Sequence, residues 1–555
     1  MIKNILQKLT LRQKIGQMFL LRDDTLYAMV SESELPEYLS RNPIGGIWAT
    51  SKLKYQTNYV NFEAGQNGGS LSDLKSYIDY LNRHLPLPLL VGGDSEKGGF
   101  MGASEIAGPD AVAAANDDAL TYQYAACMAK ELSLGGINWR WSPITDLAHH
   151  NSSVCVNRVC SDNPDTVLRY AKAFIKGTQD NGIAATVKHF PGQDLNDTHD
   201  PHFSTSINHA SFADWMQLQG RVYKEAIDSG VYSVMVGHNV FPALDDHLIG
   251  QKRCPASFSK KIITDLLKHE WGFEGVVITD DIGMRAALSI YGLENKKDAY
   301  IELINAGNDM LLGSPIGKDH EDFIGYIEEA VTDGRISMER IDDACQRILT
   351  MKEKLGLFVQ RDSLSGKAPS EAMLSTVNTL KKQTHEMNMA IARKSLTLLS
   401  NSCGLLPCDS TQLKHVSILP VTHSAEFTRH LEDLKQAFQR RNISATLYDN
   451  VEQCDLGKAA GKDCIIIYAN FVSAHQPMGH CTFYGDVARQ FFKILSLGSD
   501  RSVVISFGSP FIREEYYEEA ETYINAYWYN KEVMEAVAEG ILGEISFCGI
   551  SPFKI

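Results

Sequence analysis

The segment GVVITDDIGM places two adjacent carboxylates, Asp280 and Asp281, after the apolar run GVVI and a single Thr279. A strand sends successive side chains to opposite sides, so one of the pair can enter a pocket while the other caps the helix that IGMRAALSIYG predicts. The alternative is that both serve the helix end. A second concentration of chemistry lies in KHFPGQDLNDTHDPHFSTSIN, a long polar loop carrying Asp194, Asp197, His199, Asp200 and His202. An Asp two residues from a His can hydrogen-bond the imidazole within a tight loop. That fixes its tautomer and stabilises its protonated form, which suits proton transfer near neutral pH. Two such D-x-H pairs occur, Asp197/His199 and Asp200/His202. His and Asp also ligate zinc or manganese, but no neighbouring apolar run ends in a Cys or an H-x-x-E pattern, so no metal is expected.

More ionisable residues close other apolar runs: Asp94 and Glu96 after LLVGG, Asp146 after SPIT, Lys188 and His189 in TVKHF, and His238 after MVG. Strands that only had to fold could end in Ser, Asn or Gly. Charged and titratable side chains at so many corresponding positions point to a polar pocket. An unpaired Lys inside a core is costly, so Lys188 and His189 are expected to bind something. His149 and His150, just beyond SPITDLA, read as rim residues.

Eight elements must carry these groups. The apolar runs are IGQMFLL (from Ile15), GGIWA (from Gly45), LPLLVGG (from Leu87), INWRWSPI (from Ile137), AATVKHF (from Ala184), SVMVGH (from Ser233), GVVITD (from Gly275) and DMLLG (from Asp309). Each is short, continuously apolar and partly β-branched, as strands buried on both faces are. Between them run amphipathic patterns such as SLSDLKSYIDYLNRHL and SFADWMQLQGRVYKEAI. Alternation of this kind predicts an α/β protein with a (β/α)8 TIM-like barrel, whose chemistry gathers at the C-terminal ends of the strands. The helix SMERIDDACQRILTMKEKL, with Ser337 as N-cap and Gly356 past its end, closes it. After the polar stretch QRDSLSGKAPSEA, five further runs (HVSILPVT, SATLYDN, CIIIYANF, SVVISFGSP, TYINAYW) alternate with helices and predict a smaller three-layer α/β sandwich. The expected bounds are 1–358 for the barrel, 359–395 for a linker and connecting helix, and 396–555 for the sandwich. No G-x-G-x-x-G or P-loop occurs, so no nucleotide site and no cofactor are expected.

A chain of 555 residues exceeds one ordinary core. Its formal charge of -15 excludes the basic face that nucleic acid or an anionic membrane rewards. No apolar run reaches membrane-spanning length, and Lys and Arg interrupt the N-terminal pattern, so a cytoplasmic protein is expected. The eleven cysteines then read as reduced thiols, and Cys155/Cys160 as a C-x4-C pair without a zinc partner pair. Composition leaves the oligomeric state open.

K-H-F-P-G followed by D-x-H, and later T-D-D-x-x-M, resemble glycoside hydrolase family 3, above all its β-N-acetylglucosaminidase branch. LTLRQKIGQMF, LVGGDSEKGG, INWRWSPITD, VNRVCSDNPDTV, INAGNDMLLG and SLTLLSNSCGLLP extend the resemblance in order over nearly the whole chain. The resemblance implies a retaining hydrolase that removes a terminal β-linked sugar from a small β-glycoside. It makes Asp280 the nucleophile and Asp200/His202 the acid/base dyad, since FSTSIN follows the later D-x-H. It makes Asp94, Arg158, Lys188, His189 and His238 sugar-binding. The glycone it implies is N-acetylglucosamine, with β-glucoside hydrolysis and phosphorolysis as alternatives on the same scaffold, and an inactive carbohydrate-binding protein as the non-enzyme alternative. The chain departs from the family in DSEKGGF, which ends in Phe100 where the family has Arg, and in Cys160, which stands where the family has an aromatic residue.

Overall fold

The computed structural model describes residues 1–23, 26, 30–31, 33–49, 71–96, 103–152, 156–197, 199–291, 295–313, 319–362, 371–472, 481–495 and 500–555. Lys97, Phe100, Cys155 and part of the expected linker lie outside them. Two compact units emerge. The first comprises Met1–Ser104, Ala125–Asp146 and Ala171–Lys381; the second comprises Glu105–Tyr124, Leu147–Tyr170 and Lys382–Ile555.

In the first unit every one of the eight apolar runs yields a strand: β1 Phe19–Arg22, β2 Gly46–Trp48, β3 Leu90–Gly93, β4 Trp139–Arg140, β5 Thr186–Phe190, β6 Ser233–Val236, β7 Val276–Thr279 and β8 Leu311–Leu312. Ladders run in the order β8-β1-β2-β3-β4 and β5-β6-β7, all parallel. Single parallel bridges, Trp139 to Ala184 and Ile278 to Met310, join β4 to β5 and β7 to β8, so the ring closes. Closure leaves no free edge and puts every strand end on one rim. Strands β3, β6 and β7 are buried at every residue, which is why their sequences read as unbroken apolar runs. Outward side chains of β5, β6 and β7, Val187, Val234 and Val277 among them, pack with Trp215, Tyr223, Ile262 and Trp271 around the barrel.

The sequence pattern SFADWMQLQGRVYKEAI predicts one helix, but the chain makes Phe212–Trp215, a π turn Met216–Gly220, and Arg221–Asp228. A Cβ at Gly220 would lie 2.9 Å from the Trp215 ring. The wider turn keeps that ring in the core, stacked on Trp271 at 5.8 Å. The closing helix, Met338–Lys354, is as expected. Ser337 Oγ accepts the Arg340 N–H at 3.2 Å, and Gly356 takes the left-handed φ of +69° that ends the helix.

Beneath the barrel, Lys268 Nζ meets Asp309 at 2.6 Å and Asp343 at 3.2 Å, and Arg340 meets Asp309 at 2.6 Å. Asp309 also accepts the Val277 N–H at 2.9 Å, so one carboxylate ties β7, the start of β8 and two helices. Burial opposes ionisation of Asp343, but Lys268, Arg347 and Arg340 overcome it and bring its carboxyl down to about 2.

In the second unit the sheet has six strands, one more than expected: β9 Thr397–Asn401, β10 His415–Thr422, β11 Ser444–Leu447, β12 Cys464–Phe471, β13 Ser502–Ser506 and β14 Thr522–Asn525. Their order is β9-β14-β13-β12-β10-β11, with β9 antiparallel to β14 and a bulge between Leu398 and Ser400. Within CIIIYANF, Ile465 and Ile467 join a core built with the helices Ala425–Gln439 and Lys531–Ile541. The alternate Ile466 and Tyr468 join a second core with the helix Gly485–Leu495. Helices cover both faces, which makes the three-layer sandwich. Among the described residues no helix is long and apolar enough to cross a membrane.

Candidate active site

At the end of β7 the two adjacent carboxylates part company. The Asp280 backbone N–H extends the ladder to Val236 O at 2.9 Å, and its Oδ1 accepts the Asp281 N–H at 2.8 Å. Asp281 Oδ1 accepts the Gly283 N–H at 2.9 Å, closing a turn well before the helix Arg285–Tyr291 begins. Asp281 therefore shapes the approach to that helix and does not cap it, because Ile282–Met284 intervene. Gly313 makes this fit possible: its φ is +91°, and a Cβ there would fall 2.3 Å from Asp281 Oδ1. The two carboxyls also titrate in opposite directions. Burial would raise Asp280, but His189, His238, His202 and Lys188 outweigh it and hold the carboxyl below its ordinary value. Burial and the neighbouring Asp280 charge push Asp281 up.

Strand β5 delivers Lys188 and His189. The Lys188 side chain is 2% exposed, and its ammonium bridges Asp94 at 2.7 Å and Glu96 at 2.8 Å. Lys188 is thus a paired lysine, and two carboxylates offset the cost of burying it. His189 Nδ1 lies 2.8 Å from Asp146 Oδ2, and its backbone N–H donates to the same oxygen at 3.3 Å. The buried Tyr223 hydroxyl donates to Asp146 Oδ1 at 3.3 Å.

His238, just past β6, is fully buried. Its Nε2 faces the Asp281 carbonyl at 3.0 Å and its Nδ1 faces Ser257 Oγ at 2.8 Å. A carbonyl only accepts, so Nε2 carries the proton and Ser257 donates to Nδ1. Burial lowers the tendency of this imidazole to protonate, and the Asp280 charge only partly restores it.

The polar loop after β5 carries His202 43% exposed and Asp200 3% exposed, with Nδ1 and Oδ1 2.6 Å apart. Asp200 Oδ1 also accepts the His202 backbone N–H at 2.9 Å. An ionised Asp200 can only accept, so Nδ1 donates and Nε2 is the nitrogen suited to proton transfer. The loop backbone is fastened to the helix after β7, with the Arg285 N–H donating to His202 O at 3.2 Å and the Ala286 N–H to Pro201 O at 3.3 Å. The rival pair has the same local geometry, with His199 Nδ1 2.5 Å from Asp197 Oδ1, and so does Asp245/His247 at 2.8 Å. The D-x-H turn is therefore a local habit of the chain. The later pair also has a long-range role: His202 is among the groups whose charge acts most strongly on both Asp280 and His238.

Seven of the eight expected site residues thus belong to the first unit. Arg158 belongs to the second, in a turn set by Asn157, whose φ is +56° and whose amide donates to Asp110 at 2.9 Å and to Tyr527 O at 3.2 Å. Several supporting residues were not assigned from sequence. Asp146 and Glu96 were visible as strand-end carboxylates. Ser257 and Tyr223 gave no signal, since each reaches the site from a distant segment. Arg22, at the end of β1, lies over the Trp48 ring at 5.0 Å, and its charge acts on Asp281.

Among the described residues two trios could offer a metal three ligand atoms within 4.8 Å of one another: Asp245, His247 and Cys254, and Glu105, Glu426 and His430. Neither includes Asp280 or His202. In the first, Asp245 already receives Ser259 Oγ at 2.6 Å and Lys261 Nζ at 3.3 Å.

Residues 10–351, more than half of the chain, match the family model described as the Glycosyl hydrolase family 3 N terminal domain. A beta-N-acetylglucosaminidase/beta-glucosidase of Cellulomonas fimi is 27% identical over 405 residues, covering 71% of this chain. The chain spans 65% of the length of that relative, just under two thirds. A beta-hexosaminidase of Xanthomonas oryzae pv. oryzae is 31% identical over 268 residues, covering 44% of this chain and 73% of its own. The solved structure of beta-glucoside phosphorylase BglX bound to 2FGlc superposes with a TM-score of 0.82 at 24% identity, covering 100% of this chain and 96% of its own. A family 3 beta-N-acetylglucosaminidase from Paenibacillus sp. str. FPU-7 superposes with a TM-score of 0.77 at 24% identity, covering 98% and 99%. Both structures share the barrel-plus-sandwich fold.

Proposed function

The chain belongs to glycosyl hydrolase family 3, and on that premise we propose that it is a retaining, exo-acting glycoside hydrolase that removes a terminal β-linked N-acetylglucosamine. Asp280, ionised, attacks the anomeric carbon from the face opposite the leaving group. His202 Nε2 gives its proton to the glycosidic oxygen, the bond to the aglycone breaks, and a glycosyl-enzyme forms on Asp280. Water then enters, His202 takes its proton, and the sugar leaves with its β configuration restored. Asp200 keeps its charge throughout, orients the imidazole and stabilises the imidazolium. Lys188, with Asp94, offers a charged hydrogen-bonding edge to sugar hydroxyls, and His189 is assigned to the same recognition. His238 fixes the Asp281 carbonyl beside the nucleophile.

The observation that carries this reading is His202, held by Asp200 at 2.6 Å, whose charge acts on Asp280. The names of the relatives support N-acetylglucosamine, and one of them includes glucosides as well. Phosphorolysis is a second reading, favoured by one feature: an imidazole acid/base places less negative charge beside an incoming phosphate than a carboxylate would. A panel of 4-nitrophenyl β-glycosides, assayed with and without phosphate, tests both. Release from the N-acetylglucosaminide with the β-anomer as first product, seen by proton NMR, is expected. First formation of the α-anomer would refute the retaining mechanism. Turnover confined to the glucoside would refute the glycone, and strict dependence on phosphate would replace water as acceptor.

A further inference from the structure

Phe203 follows the proposed acid/base directly and is 56% exposed, a large apolar ring left in solvent. A single exposed ring is ordinary; its placement here is not. Its ring centroid lies 6.3 Å from the His202 imidazole, tilted by 49°. Its backbone N–H donates to Asp200 O at 2.9 Å, as does that of Ser204, and the carbonyls of Pro201 and His202 are held by Ala286 and Arg285. The ring is thus presented beside the proton donor from a backbone fastened on both sides.

A general acid works within about 2.6–3.2 Å of the oxygen it protonates. The first ring of the leaving group therefore begins beside the imidazole and extends outward from it by roughly its own width, over the same span that separates His202 from Phe203. We infer that Phe203 forms an aglycone subsite, a platform for the apolar C–H face of the pyranose ring on the leaving side of the scissile bond. The subsite rests on the assignment of His202 as acid/base and adds to it the class of substrate: β-glycosides whose aglycone is itself a sugar ring. Such a ring gains from covering Phe203, whereas a methyl aglycone is too small to do so.

Two substrates with the preferred glycone test this, a β-linked disaccharide and the methyl β-glycoside. Both leaving groups are alkoxides that need protonation, so only the ring distinguishes them. In Phe203→Ala the ratio of kcat/KM for the disaccharide to that for the methyl glycoside is expected to fall about three- to tenfold, the range typical of a lost aromatic contact. Phe203→Trp is expected to restore it. An unchanged ratio in Phe203→Ala overturns the subsite. Should the alanine variant fail to fold by circular dichroism, Phe203→Leu, which keeps bulk and removes the ring, is read by the same ratio. His202→Ala, run in parallel on aryl glycosides of graded leaving-group acidity, separates the two assignments. A variant without leaving-group dependence removes His202 as acid, whereas a normal dependence with an unmoved ratio removes Phe203 alone.

Discussion

The Arg285 backbone N–H donates to the His202 carbonyl at 3.2 Å, so the loop that bears the proposed acid/base hangs from the helix that follows the proposed nucleophile. The two reacting groups come from β5 and β7, 78 positions apart by their numbers (280 − 202). A hydrogen-bonded seam between loop and helix gives them a common frame. Pre-organisation of this kind lets a retaining glycosidase hold a carboxylate and a proton donor on opposite sides of one bond without reorganising at each turnover.

Asp280→Asn removes the attacking charge while keeping shape and the Asp281 N–H contact. Turnover is expected to fall by on the order of 10³-fold or more with little change in melting temperature. Substantial activity in the purified variant would dismiss Asp280 as nucleophile.

His202→Ala should slow alkyl and sugar glycosides by about 10²–10⁴-fold, the usual worth of a positioned acid, and activated aryl glycosides far less. His199→Ala, whose pair has the same local geometry, should leave this pattern unaltered. If His199→Ala reproduces it instead, the two D-x-H pairs exchange roles.

The pH dependence follows from the direction of the Asp280 shift. Its carboxyl is held below the ordinary value of 3.8, so it stays ionised as pH falls through the range where a free Asp would begin to protonate. Glycosylation by an activated aryl substrate, which needs little acid help, should therefore be flat above about pH 4.5. An acid limb with its midpoint near pH 5 or higher in that single step would show that the cationic surroundings do not protect the nucleophile.

Asp309→Ala should be among the most destabilising changes in the barrel, by about 3–5 kcal/mol, because it removes the nearer and fully buried carboxylate of Lys268 and one of the two that Arg340 meets, leaving both cations to the half-exposed Asp343. Equilibrium urea unfolding checks it. A loss below about 1 kcal/mol would mean that the remaining partner, Asp343, suffices.

His320 is buried, edge-on to Phe19 at 4.9 Å, and among the described residues neither ring nitrogen has a hydrogen-bond partner. Burial brings its pKa down to about 3. A depressed value means that the folded state resists a proton the unfolded chain accepts. Stability from this group is full above about pH 6.5 and drains away as pH falls toward 3. His320→Phe should remove that acid sensitivity and leave stability at pH 7 equal or higher. A variant that loses more than about 1 kcal/mol at pH 7 would show a partner for the imidazole.

The sequence by itself determined the strands and the cast of polar residues. Runs such as VVIT and CIIIYANF are apolar at consecutive positions because both faces of a covered parallel strand are buried, and that pattern survives without coordinates. Thr397–Asn401 escaped notice because it is an antiparallel edge strand with a bulge, buried on little more than one residue, so its apolar signal is weak. The D-x-H spacing likewise announced the Asp197/His199 and Asp200/His202 contacts, since each is a contact within one turn; the same spacing at Asp245/His247, outside the polar loop, forms the same contact. Tertiary structure alone decided what those contacts are for. Asp197/His199, Asp200/His202 and Asp245/His247 are alike locally, and it is ring closure of the barrel that brings the charge of His202 to bear on Asp280. The same holds for Asp146 behind His189 and Ser257 behind His238. Local chemistry is written in neighbours along the chain, whereas an electrostatic field sums over groups that only the closed fold assembles.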